Sequence, residues 1–229
     1  MKDKYLERTI GLIGEENLSL IKDKTILLVG LGGVGGSAFE SLIRSGFNNV
    51  IIVDFDKVSE SNLNRQLLYK ESDIGLRKAT CAKRHALEID DSLNITAIDM
   101  KLDENLLEEL DKYKIDFIID AIDDVPNKIR LIEFANKNNI PYIMSLGMAN
   151  RFDPTKVEIT RLDKTTNDPL ARKIRYECKK RNIDTKSINV SYSKEIPQKN
   201  GEKLYSIFFS PNTSGISMVY YVLMYFINK

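Results

Sequence analysis

Residues Thr25 to Asp54 read TILLVGLGGVGGSAFESLIRSGFNNVIIVD, and this stretch decides the fold. Thr25 to Gly30 is a short apolar run closed by glycine. Small residues then continue at helical spacing to Arg44, and a second apolar run follows from Val50 to Val53. The order is strand, helix, strand. Both runs are continuous rather than alternating, as expected of strands covered on both faces in a parallel sheet.

The same alternation continues outward. A helix is expected from about Gly75 to Ile89, a strand near Ile95 to Met100, and a helix through Asp103 to Lys112. Next come a buried strand in IDFIIDAID (115–123), a helix from Pro126 to Asn139 and a strand in PYIMSLG (141–147). These units predict a Rossmann-like α/β fold, a doubly wound and mostly parallel sheet. From Arg151 the texture changes. VEIT (157–160), a charged helical stretch from Pro169 to Asn182, INVSYS (188–193) and EKLYSIFF (202–209) suggest antiparallel additions to the sheet in the C-terminal third. Asn200-Gly201 supplies a hairpin signal between the last two. The apolar run from Gly215 to Ile227 is too short to span a bilayer and reads as a buried helix.

Lys plus Arg number 34 against 33 for Asp plus Glu, which excludes a polyanion binder working through overall charge but not a local basic patch. His85 is the only histidine, so Ser-His-Asp hydrolysis and multi-His metal sites have almost nothing to draw on. It shares its expected helix with the apolar stripe Ala79, Ala82, Ala86 and Ile89, which points to a structural role. Cys81 and Cys178 are far apart, so neither a CxxC zinc motif nor a disulfide framework is suggested. A reducing compartment follows, and the opening MKDKYLERTIGLIGEENL lacks the apolar centre of a secretory signal, so a cytoplasmic location is expected.

Gly30-Leu31-Gly32-Gly33-Val34-Gly35 contains G-x-G-x-x-G between a predicted strand and a predicted helix. Glycines there allow a tight turn and close backbone approach, and the helix start offers N–H groups to phosphate. Asp54 ends the second strand, where a carboxylate accepts from ribose hydroxyls. Together they say nucleotide without saying which. The polar stretch beyond Asp54 includes Asp56 and then Asn64, Arg65 and Gln66, whose donors point several ways; Arg65 has the planar fork that suits a phosphate. A solvated loop is the plainer reading of that stretch. Lys78 would lie in the first turn of its helix, where a cation costs roughly 0.3 to 1 kcal/mol unless an anion is bound beside it. Asp120, Asp123 and Asp124 stand at the end of a strand, and carboxylates there suit Mg²⁺ beside a triphosphate. Asp123 or Asp124, just before Pro126, would equally serve as a helix cap.

RTIGLIG (8–14), the glycine loop, VDFDKVSESNLNRQ (53–66), GLRKA (75–79) and DAIDD (120–124) resemble the ATP-binding set of the ubiquitin-activating enzyme superfamily of adenylating enzymes. GMANRFDPTKVEIT (147–160), KTTNDPLARKIR (164–175) and VSYSKEIP (190–197) resemble its tRNA threonylcarbamoyladenosine dehydratase branch. Gly36, where relatives commonly carry serine, and Ala149, in place of a glycine, depart from the pattern. The resemblance implies ATP-dependent cyclisation of threonylcarbamoyladenosine in the anticodon loop of tRNA. A threonine carboxylate attacks the α-phosphate of Mg-ATP, pyrophosphate leaves, and the ureido group closes on the acyl adenylate.

Carried over by position, Gly30, Gly32, Gly33 and Gly35 hold the nucleotide with Asp56, Asn64 and Gln66, and Asp54 takes the ribose. Arg65 and Lys78 take the phosphates, Asp123 the magnesium, and Arg8 reaches the ATP of a partner subunit in a homodimer. A sulfur-relay protein stands open as a further partner. The segment from Arg161 to Lys186 holds nine basic residues against four acidic, which makes Arg172, Lys173, Arg175 and Lys179 candidate contacts to tRNA phosphates. The expected organisation is one domain over 1–229, with a nucleotide-binding core in 1–150 and substrate-binding and dimerisation additions in 151–229. The alternative activity is adenylylation of the C-terminus of a ubiquitin-like sulfur-carrier protein, whose enzymes usually carry the CxxC pairs missing here. A thioester-forming relative would need a low-pKa cysteine, and Cys178 beside Lys179, Lys180 and Arg181 is the candidate.

Overall fold

The computed structural model describes residues 4–198, 201 and 203–228. In chain order its elements are α1 (Glu7–Ile13), α2 (Glu15–Lys22), β1 (Thr25–Val29), α3 (Gly33–Ser45), β2 (Asn49–Val53), α4 (Lys78–Ile89), β3 (Asn94–Ile98), α5 (Glu104–Leu110), β4 (Phe117–Asp120), α6 (Val125–Asn138), β5 (Tyr142–Ser145), β6 (Val157–Arg161), α7 (Pro169–Lys180), β7 (Asn189–Ser193) and α8 (Phe209–Ile227). The seven strands form one sheet in the order β3-β2-β1-β4-β5-β7-β6. All neighbours run parallel except β6, which pairs antiparallel with β7. The expected doubly wound sheet is therefore present, and its antiparallel addition comes from β6.

Successive residues of β1 explain the unbroken apolar runs. Ile26 and Leu28 face one core with Phe39, Leu42, Phe47, Met218 and Phe226, whereas Leu27 and Val29 face another with Leu106, Leu110, Leu131 and Phe134. A strand with helices on both sides has no face left for polar residues. Helices α3, α4 and α8 cover the first face and α5 and α6 the second. Ile174 and Cys178 of α7 close a third cluster with Met144 and Val190.

α8 lies against α3, and the crossing needs Gly215, where a Cβ would stand 2.1 Å from Ser37 Oγ and 2.2 Å from the Val34 carbonyl oxygen. The apolar C-terminal run thus packs within its own chain, although Ile216 and Tyr220 stay exposed. No helix among the described residues is long and apolar enough to cross a membrane.

Two local expectations need correcting. The helix expected from Gly75 starts at Lys78, because Gly75 takes a left-handed φ of 88° and Arg77 is extended. The strand expected in EKLYSIFF does not form: residues 203–208 are irregular chain bonded to Asn64 and Asn150, and β7 pairs with β6 instead. Asn200 of the expected hairpin turn lies outside the described residues.

Strand order reverses between β1 and β4, so the chains leaving these two strands diverge and open a crevice at their carboxyl ends. A buried ion pair fixes its floor. Lys128 Nζ donates to Asp120 Oδ1 at 2.9 Å and to the Ser145 carbonyl at 2.8 Å, joining β4, β5 and α6. Both side chains are fully buried. Removing one partner leaves an uncompensated buried charge, so Lys128→Met should cost roughly 3 to 5 kcal/mol. Urea unfolding should place Asp120→Asn/Lys128→Met nearer wild type than Lys128→Met; the reverse order would contradict this account of the pair.

Candidate functional site

The crevice is a cleft of about 850 Å³. One wall is the turn from β1 into α3. Gly30 holds a φ of 93°, and a Cβ on Gly35 would stand 1.8 Å from the Gly30 carbonyl oxygen. The turn is therefore as tight as the motif requires. Gly32, Gly33 and Val34 line the cleft at the start of α3, a helix with no acidic residue in its first turn and no side chain capping its N–H groups. Those donors remain available to an anion.

Asp54 closes this wall. Its carboxylate accepts from the backbone N–H of Leu31 at 2.6 Å and of Asp56 at 2.8 Å, which fixes it under the loop. Burial pushes its carboxyl above the ordinary range, with Lys78 pulling the other way. Lys78 is buried and donates to Asp56 Oδ2 at 2.9 Å. The carboxylate that offsets this cation at a helix start is thus supplied by the protein itself.

Arg65 and Gln66 line the cleft. Arg65 is braced through one Nη, which donates to the Ser61 carbonyl and to Asn64 Oδ1, leaving the rest of the guanidinium without a partner among the described residues. Gln66 Oε1 is buried and unpartnered. Asn64 is placed otherwise. Its Nδ2 donates to the Ser206 carbonyl at 2.9 Å, and it is absent from the cleft lining, so it holds the 203–208 segment in place.

The three aspartates after β4 separate cleanly. Asp120 is held by Lys128, by the Ile122 N–H and by the Tyr142 hydroxyl. Asp124 caps α6 by accepting from Asn127 N at 3.1 Å. Asp123 is exposed, lines the cleft and takes no hydrogen bond among the described residues. No cluster of three or more metal-ligating side chains occurs among the described residues. Arg8 is exposed on α1 and does not line the cleft of its own chain.

The far wall is built from residues 147–151 and the start of α7. Asp168 caps α7 by accepting from Ala171 N at 2.8 Å and takes Arg151 Nη2 at 3.1 Å; both side chains are almost wholly buried. No sequence motif singles out this pair. Its legible signal was Asp168 before Pro169, a cap followed by the residue favoured at the first helical position. Lys173 lines the cleft beside them. Arg172 and Lys179 are exposed outside it, whereas Arg175 bonds the Leu162 and Thr165 carbonyls at 3.2 and 3.3 Å and so braces the turn before α7.

His85 pairs with Glu40 at 2.6 Å, away from the cleft lining. Burial pushes the Cys178 thiol up to about 11, and the side chain faces the α7 core, so the adjacent cations do not produce a thiolate. Cys81 is buried as well, with its thiol raised mainly by burial.

The sequence profile of the ThiF family matches residues 6–195. The tRNA threonylcarbamoyladenosine dehydratase of Bacillus subtilis (strain 168) is 37% identical over 185 residues, covering 81% of this chain and 72% of that protein. The tRNA threonylcarbamoyladenosine dehydratase 2 of Saccharomyces cerevisiae is also 37% identical, over 87% of this chain but only 45% of its own length. Two crystal structures of the E. coli tRNA N6-threonylcarbamoyladenosine dehydratase superimpose over 99% of this chain and 95% of theirs. The AMP complex has a TM-score of 0.94 at 28% identity and the ATP complex 0.93 at 30%.

Since a thiol near 11 is ionised to only about one part in a thousand at pH 8, Cys178 should resist alkylation by iodoacetamide in the native protein and react promptly in urea. Rapid native labelling of Cys178, read by peptide mass spectrometry, would reopen a thioester role.

Proposed function

This chain belongs to the ThiF family, in its tRNA threonylcarbamoyladenosine dehydratase branch, and from that membership we propose that it cyclises threonylcarbamoyladenosine in tRNA at the expense of ATP, in the cytoplasm. The observation that carries the reading is the continuity of the cleft. One cavity runs from the glycine loop and Asp54 to Asp123, and on to Arg151, Asp168 and Lys173. The first half has the donors of a nucleotide site, and the second is formed by the stretches that resemble the dehydratase branch.

In this reading the N–H groups of Gly32, Gly33 and Val34 and the open side of Arg65 face the triphosphate, and Asp54 accepts from the ribose. Asp56 restrains Lys78 until the phosphates arrive to share its charge. The substrate carboxylate enters from the Lys173 side, and its oxygen attacks the α-phosphorus in line with departing pyrophosphate. The ureido group then closes on the activated carbonyl and loses a proton to solvent, and AMP leaves with the oxygen that is lost as water overall. Fixed cations and N–H dipoles suit this chemistry, in which charge moves across phosphate oxygens and no histidine base is required.

Mg²⁺ fits the donor set. Asp120 is buried on Lys128, and Asp124, though it lines the cleft, caps α6, while Asp123 offers there a carboxylate with no hydrogen bond among the described residues, and this ion is usually held by one or two carboxylates with phosphate oxygens and water. When bound, it would neutralise phosphate charge. The exposed Arg8 fits a role in a second copy's cleft, and the site is complete only in a homodimer. The alternative, adenylylation of a sulfur-carrier protein, is weakened by the absence of any CxxC pair and by the basic α7 wall.

AMP and pyrophosphate release should require threonylcarbamoylated tRNA and should not be elicited by carrier proteins; the opposite pattern would favour the alternative. Asp123→Asn should lower turnover by roughly 100-fold or more with unchanged thermal unfolding, and full turnover would remove it from the site. Mixing Arg8→Ala with Lys78→Ala protein should restore part of the activity through hybrid dimers having one good site. Absence of recovery despite demonstrated subunit exchange would count against Arg8 acting across the interface.

A further inference from the structure

α7 is held rigidly from below. Ala171, Ile174 and Cys178 face the core, Asp168 fixes the first turn through Arg151, and Arg175 ties the helix to the preceding turn. Its opposite face is open. Arg172, Tyr176 and Lys179 follow one another at four- and three-residue spacing, and Lys173, Tyr176 and Lys180 form the adjacent row. A single exposed aromatic ring, Tyr176 at 60% exposure, therefore stands among four cations.

The charges on this face differ from those around it. Arg161 is paired with Asp163 at 3.1 Å and Arg181 with Glu133 at 3.3 Å. Lys180 lies over the Tyr176 ring at 4.4 Å and near Glu177 at 3.6 Å. Arg172, Lys173 and Lys179 pair with no carboxylate among the described residues. Because Lys173 lines the cleft, this unpaired charge begins inside the site and continues outward. At 1.5 Å of rise per residue, Lys179 is about 9 Å further along the helix, the reach of two or three stacked nucleotides.

Phosphate-spaced cations with an interleaved exposed aromatic suit unpaired RNA. The cations track the backbone, and the ring offers a stacking surface to a base that is not held in a duplex. Lys180 lies over one face of the Tyr176 ring, whose side chain is still largely exposed. A duplex has no unstacked base to place there, whereas an anticodon loop does.

Building on the proposed dehydratase reading, we propose that the loop strand flanking the modified nucleotide leaves the cleft at Lys173 and runs along α7. Its phosphates lie on Arg172 and Lys179, and one unpaired base stacks on Tyr176. Arg175, engaged with the Leu162 and Thr165 carbonyls, takes no part.

The test uses the full chain with threonylcarbamoylated tRNA, measuring tRNA Kd, tRNA KM and ATP KM. Tyr176→Ala should raise tRNA Kd and KM roughly tenfold while leaving ATP KM and thermal unfolding unchanged, and Tyr176→Trp should keep near wild-type values. Arg172→Ala/Lys179→Ala should flatten the dependence of log Kd on log salt by one to two units. An isolated anticodon stem-loop should compete for binding and lose that ability against Tyr176→Ala, whereas a fully paired RNA hairpin should be indifferent to the substitution. Unchanged tRNA Kd in both the Ala variants, or equal losses for Tyr176→Ala and Tyr176→Trp, would overturn the proposal. Should wild type bind tRNA without releasing AMP, the dehydratase reading would fall while the Kd measurements still decided the fate of the α7 face.

Discussion

A side chain at position 35 would put its Cβ 1.8 Å from the Gly30 carbonyl oxygen, so the chain between β1 and α3 turns back through a space that only glycine leaves open. The rest of the molecule follows from that approach. It seats the start of α3 at the end of β1, with its unbonded N–H groups facing the crevice. It also presses α3 flat on the sheet, where α8 crosses it through a second close contact at Gly215. The tight turn serves packing and binding at once, since the same backbone geometry that buries Phe39 and Leu42 delivers the helix dipole to the cleft.

Around this turn, the charged groups are sorted by what they already hold. The carboxylates of Asp54, Asp120, Asp124 and Asp168 each accept from backbone N–H groups or buried cations, and each fixes a piece of wall. Asp123 has no such duty. The cations divide in the same way: Lys128, Arg151 and Arg175 are structural braces, Lys78 is restrained by Asp56, and Arg65 and Lys173 face the cleft with capacity to spare. A buried charge without a partner is costly, so folding consumes most of these groups, and those left over mark where a ligand's charges fit.

How far the sequence can be read is clearest at particular residues. The alternation from Thr25 to Gly147 gave the parallel sheet because a strand buried on both faces must be apolar throughout, which is a local property. The strand expected in EKLYSIFF is absent over 203–208, since β7 found its antiparallel partner in β6, and strand pairing is settled by which edge is nearest in space. Three neighbouring aspartates of similar local context were indistinguishable until Lys128, Tyr142 and the start of α6 were placed around them. Asn64 and Arg65 adjoin in the chain, yet one faces the 203–208 segment and the other the cleft.

The sequence by itself determined the order of strands and helices from β1 to β5, the glycine turn with its nucleotide chemistry, and a basic C-terminal third. These rest on periodicity, backbone sterics and composition, all of which act within a few residues. Tertiary structure alone decided which carboxylate stays unbonded, that Lys78 is neutralised by Asp56, that Cys178 is an inert core thiol, and that Arg172, Tyr176 and Lys179 share an open face while Arg175 does not. Charge partnership and burial depend on groups brought together from distant parts of the chain, and no local pattern carries that information.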